Sequence, residues 1–161
     1  MATGSIMTNE EQELVLTREF DAPRELVFKV WTDPKHVAQW WGPRGFTNPV
    51  CELDLRPAGA ILIHMRGPDG TVYPMTGVYQ EIVEPERLVF TSAALDAAGH
   101  PMFEMLTTVT FADLGEKTKQ ILRACVIKRT AQAAPYLAGM ETGWTQSLER
   151  LTAYVAARAK E

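Results

Sequence analysis

The chain's patterning predicts an α+β domain in which a curved antiparallel sheet wraps a long C-terminal helix. Three observations carry that class. From Pro135 to about Ala159, Leu137, Met140, Trp144, Leu148, Leu151 and Val155 recur at spacings of three and four, which places them on one helical face. Between Val50 and Lys128 the apolar period is two, broken by short turns. Ahead of that region, two prolines behind aspartates mark the starts of two short helices.

In order, residues 1–12 are polar and weakly periodic, so they read as a loose tail before one domain over 13–161; Met7 reads either as an alternative start or as the first native residue after an added segment. Glu13 to Phe20 alternates as a first strand. Asp21-Ala22-Pro23 then opens a helix, with Asp21 as the expected capping oxygen and an apolar face of Leu26, Val27, Val30 and Trp31. Asp33-Pro34 opens a second, which carries Val37, Trp40 and Trp41 and stops at Gly42-Pro43. Strands are expected over Val50–Arg56, Ile61–Arg66, Val72–Val83, Leu88–Ala93, Met102–Ala112 and Lys117–Lys128. Their turns are Pro57-Ala58-Gly59, Pro68-Asp69-Gly70, Glu84-Pro85-Glu86, Ala97 to Pro101 and Asp113 to Glu116. The terminal helix, about 25 residues and roughly 37 Å long, needs a broad apolar partner, and the sheet supplies it. On that helix Glu141, Gln146, Glu149, Arg150 and Arg158 fall off the apolar stripe and are expected to face water.

Composition limits the function. A net charge of −4 gives no general reason to bind nucleic acid or an anionic membrane. No apolar run approaches the roughly 18 residues of a spanning helix, and no signal peptide opens the sequence, so no membrane insertion is expected. Cys51 and Cys125 stand in unrelated contexts without a CxxC spacing, which points to a reducing, cytoplasmic setting.

Several stretches together resemble a known family. Phe20-Asp21-Ala22-Pro23-Arg24-Glu25-Leu26-Val27-Phe28 is similar to the opening of the START-like, birch-pollen-allergen-like helix-grip superfamily. Thr32-Asp33-Pro34, Trp40-Trp41-Gly42-Pro43, Asp54 to Gly59, Met65 to Gly70, Gly77 to Leu88 and Gly143-Trp144 follow in the expected order. They resemble the bacterial branch related to the C-terminal domain of the activator of heat-shock protein 90 ATPase, over about residues 14 to 156. Two departures stand out. Relatives usually have two glycines after Arg-Pro, where this chain has Ala58-Gly59, and often Thr-basic-Leu where it has Thr118-Lys119-Gln120. The resemblance implies a helix-grip fold and a small-molecule binding scaffold with no cofactor; function on a shared fold remains analogy.

The expected ligand site is a cavity between sheet and terminal helix, lined by Trp41, Ile63, Met65, Tyr79, Phe90, Met105, Met140 and Trp144. Trp40 and Trp41 project about 100° apart on a helix, so one belongs to the core and the other to the cavity mouth. Met65, Met75, Met102, Met105 and Met140 would give an adaptable lining. His36, His64 and His100 lack metal-ligand spacing, so no metal is expected; His36 reads as exposed and His64 as facing away from the helix. Cys51 and Cys125 read as small apolar strand residues, and Ser92 and Ser147 lack a nucleophile motif. Glu81, Glu104, Gln120 and Arg123 are the polar strand residues whose facing would decide whether the cavity has chemistry. The leading expectation is binding, transport or sensing of a small apolar or aromatic molecule. Alternatives are a cyclase- or hydrolase-like enzyme using the same cavity, or an activator of the heat-shock protein 90 ATPase. An outward apolar strip would allow a homodimer.

Overall fold

Alternating apolar residues close a sheet only when each strand finds a partner for its backbone, and here seven do. The computed structural model describes residues 13–160; the expected N-terminal tail lies outside them. The strands are β1 (Leu14–Phe20), β2 (Thr47–Leu53), β3 (Ala60–Arg66), β4 (Val72–Val83), β5 (Arg87–Leu95), β6 (Pro101–Asp113) and β7 (Thr118–Arg129). They form one antiparallel curved sheet in the order β1-β7-β6-β5-β4-β3-β2. Helices α1 (Arg24–Thr32) and α2 (Pro34–Trp40) follow β1, and α3 (Ala134–Ala138) and α4 (Met140–Ala159) end the chain. No helix of the described residues is long and apolar enough to cross a membrane.

The helix starts follow their sequences with one exception. Asp33 accepts a hydrogen bond from the Lys35 amide at 2.9 Å and Pro34 fills the first turn of α2. Asp21 does not cap α1 as expected. Pro23 holds that position, its carbonyl accepting the amides of Leu26 and Val27, and no side chain contributes.

Strand β2 runs from Thr47 to Leu53, so Asp54 to Arg56 are turn residues and not its end. A bulge between Thr47 and Val50 accommodates Pro49, which an edge strand tolerates because its outer backbone needs no ladder bond. The expected single terminal helix is divided at Gly139, whose φ of −94° and ψ of 2° leave the helical region. Its amide turns back to the Tyr136 carbonyl at 3.2 Å, a tightened turn that glycine's free backbone accepts.

The core lies along the C-terminal half of α4. Leu148, Leu151 and Val155 are fully buried against Phe20, Val27, Val30, Val109, Phe111 and Leu122. Each such aliphatic side chain contributes about 1.5–3 kcal/mol by leaving water. The N-terminal half of α4 meets the other end of the sheet, where packing is incomplete.

Candidate functional site

At that end the sheet and helix enclose a cavity of about 430 Å³. Its sheet wall is Met65 of β3, Tyr73 and Met75 of β4, Ser92 and Ala94 of β5, and Met102 and Met105 of β6. Leu137 of α3 and Met140, Gly143, Trp144 and Ser147 of α4 form the helix wall. Trp41, Pro43 and Phe46 close a third side. Met102 and Met105 are three residues apart, which strict alternation would send to opposite faces. The pairing with β5 skips Met102 between Ala94 and Leu95, an extra residue on β6 that breaks the alternation, and both methionines are buried.

Of the eight residues expected at the ligand site, Trp41, Met65, Met105, Met140 and Trp144 line this cavity. Ile63, Tyr79 and Phe90 do not. They line a separate void of about 20 Å³ deeper in the core, with Trp41 and Met75 bordering both spaces. The smaller void is close to the size of one water. All five methionines singled out from the sequence line the larger cavity. Phe46, Tyr73 and Leu137 also belong to it without having been singled out.

The aromatic wall is tied to the core by hydrogen bonds. Trp40 is fully buried and its indole N–H donates to the Val30 carbonyl at 3.1 Å, while Trp41 faces the cavity. Trp41 and Trp144 meet edge to face with ring centres 5.4 Å apart. Trp144 stacks on Trp31 at 6.2 Å, and the Trp31 N–H donates to Gln120 Oε1 at 2.7 Å. Gln120 is therefore in the core beneath α1, not at the cavity.

The third side is held by Arg150, which does not face water as its position off the stripe suggests. Its guanidinium donates to the carbonyls of Gln39, Trp41, Gly42 and Pro43 at 2.9–3.1 Å. Those carbonyls lie at and just beyond the end of α2, so the cation sits where a helix end favours positive charge. Burial pulls its pKa below the usual arginine value. Asn48 Nδ2 also donates to the Trp41 carbonyl, at 2.9 Å. Arg44 adds an ion pair to Glu149, and its amide donates to Gln146 Oε1 at 3.1 Å.

Among the described residues, no aspartate, glutamate, histidine, lysine, arginine or cysteine lines the cavity. Its polar side-chain groups are the hydroxyls of Ser92 and Ser147, the phenols of Tyr73 and Tyr136 and the indole N–H groups of Trp41 and Trp144. Glu81 pairs with Arg87 on the surface, Arg123 is exposed 3.9 Å from Glu13, and Glu104 is opposite Lys128 on the sheet. His36 is half-buried, not exposed, with Nδ1 2.6 Å from the Tyr154 hydroxyl. Cys51 is half-buried, and burial followed by the Glu52 charge pushes its thiol up to about 11. It carries no activated thiolate. Among the described residues no three His, Cys, Asp or Glu side chains cluster to hold a metal.

A family model described as "Activator of Hsp90 ATPase homolog 1-like protein" matches residues 21–156, from the start of α1 almost to the end of α4. The chain belongs to that family. Solved structures agree on the fold. A protein from Nitrosomonas europaea is 25% identical, with a TM-score of 0.78 over 92% of this chain and 97% of its own. One from Chromobacterium violaceum is 29% identical, with a TM-score of 0.74 over 89% and 96%. An AHSA1 protein from Silicibacter pomeroyi is 27% identical, with a TM-score of 0.76 over 91% and 99%. No curated protein matches the chain by sequence.

Within this activator-homologue family pattern, the two departures have visible consequences. Ala58 adopts φ 68°, the left-handed region that glycine favours. Gln120 brings an amide into the core, where Oε1 is satisfied by Trp31 and Nε2 has no partner.

Proposed function

We propose that the protein binds a small hydrophobic or aromatic molecule in the cavity between the sheet and the N-terminal half of α4. The single observation that carries this reading is the lining. Five methionines and two tryptophans surround about 430 Å³, a volume within the range of small-molecule sites. Methionine adapts to irregular apolar shapes, and tryptophan offers flat faces at low entropic cost. An enzyme using the same space would lack a carboxylate, imidazole or amine for proton transfer, since the described lining offers only hydroxyls, phenols and indole N–H groups.

The test pairs a probe with a blocked cavity. A Cβ at Gly143 meets nothing closer than Pro43 Cγ at 3.9 Å, so a longer side chain there can grow towards the cavity without backbone conflict. Titration with N-phenyl-1-naphthylamine should give blue-shifted, enhanced emission with the native protein and none with Gly143→Leu, whose melting temperature is unchanged or higher. Equal binding by both proteins, or by neither, would overturn the proposal. Native mass spectrometry then asks whether a small molecule co-purifies and whether it leaves chemically unchanged, as a carrier's ligand must.

A further inference from the structure

The charges around the cavity narrow what can enter it. Three arginines flank lining residues in sequence. Arg44, next to Pro43, is paired with Glu149, and Arg66, next to Met65, is exposed. Arg150, one turn after Ser147, is committed to four backbone carbonyls. The start of α4, which borders the cavity at Gly139 and Met140, already carries Glu141 in its first turn. That carboxylate opposes a second negative charge at the helix end. Arg129, opposite the lining residue Phe103, is exposed, and no described residue that lines the cavity is a cation, so an anion seated inside would leave water without meeting a positive charge.

Neutral polar groups fare differently. Ser147 is only 5% exposed and lines the helix wall, and Ser92 lines the sheet wall. Neither hydroxyl hydrogen-bonds to any other described residue. Neither Oγ is among the fully buried side-chain atoms left without a partner, so each oxygen is open to the cavity, where it can both donate and accept. From these two facts we infer that the cavity selects uncharged ligands over anions of the same shape, and that it seats their polar group against Ser92 and Ser147. This specificity rests on the binding function proposed above.

Two dyes separate the possibilities. N-Phenyl-1-naphthylamine and 8-anilinonaphthalene-1-sulfonate share one skeleton and differ by a sulfonate. The neutral dye should bind the native protein at least about tenfold more tightly. The gap should persist at about 0.5 M salt, because desolvation is not screened as long-range repulsion is. Comparable affinity for the sulfonate, lost in Gly143→Leu, would overturn the selectivity and leave the binding function standing. Failure of both dyes would remove the binding function and the inference with it. For the hydroxyls, 1-naphthol should bind Ser92→Ala or Ser147→Ala about three- to tenfold more weakly, with naphthalene unaffected. Equal losses for both probes, or none, would overturn the hydroxyl seat.

Discussion

Trp31 donates its indole proton to Gln120 at 2.7 Å, and the two residues are 4% and 0% exposed. The bond joins α1 to the first residues of β7 and fixes the ring on which Trp144 stacks. Replacing Gln120 with leucine strands the Trp31 N–H but also removes the unpartnered Nε2, two terms of about 1–3 kcal/mol that oppose each other. A double-mutant cycle isolates the bond. Trp31→Phe with Gln120→Leu should cost about 1–2 kcal/mol less than the two single changes summed, read by chemical denaturation. Simple additivity would show that the bond contributes nothing.

Arg150 gathers four carbonyls at and just beyond the end of α2 on one guanidinium. Arg150→Met keeps the aliphatic stem and removes the donors, and should cost about 2–4 kcal/mol in denaturant. Arg150→Lys should recover less than half of that, because an ammonium cannot present the same planar fork to four carbonyls. Full recovery with lysine would show that charge alone matters.

Ala58 and Gly59 make opposite predictions. Ala58 is exposed with φ 68°, so Ala58→Gly should stabilise the protein by about 1 kcal/mol, visible as a higher melting temperature. Gly59→Ala would place a Cβ 1.9 Å from the Asp54 carbonyl oxygen and should destabilise by more than about 2 kcal/mol. The same melting experiment checks both.

Cys51 gives a stability change confined to alkaline pH. Its thiol is held at about 11 in the folded protein against an ordinary 9.0, by burial first and Glu52 second. Below pH 9 both states keep the proton and nothing changes. Between about pH 9 and 11 the unfolded chain ionises first, so stability falls with rising pH. The Tyr79 phenol, pushed up by burial and then by Cys51, acts in the same direction. Cys51→Ala should flatten part of the alkaline loss in denaturation curves across that window. An unchanged slope would remove Cys51 from the cause.

The alternation of Ile61, Ile63 and Met65 in the sequence told which face each side chain joins, and the structure puts all three on the inner face. Alternation does not tell depth along the sheet. Met65 reaches the open end while Ile63 lies beside the small void, and Tyr79 and Phe90 are deep for the same reason. Local pattern also misses events that need a second element. The bulge at Met102 depends on pairing with β5, and Arg150 is an anchor only because the end of α2 packs there. Phe46, in a loop without periodicity, carried no sequence signal for its place at the cavity. Gly139 was visible as a glycine, but on the apolar pattern alone the helix ran straight through it.

The clustering of aromatic rings gives the molecule a built-in optical readout. Trp31, Trp40, Trp41 and Trp144 are the chain's four tryptophans, and each lies within 6.4 Å of another, centre to centre. At such separations excitation hops freely among the indoles, so the four emit as one coupled fluorophore. Two of them border the cavity. Whatever enters, coloured or not, changes the glow of the whole set.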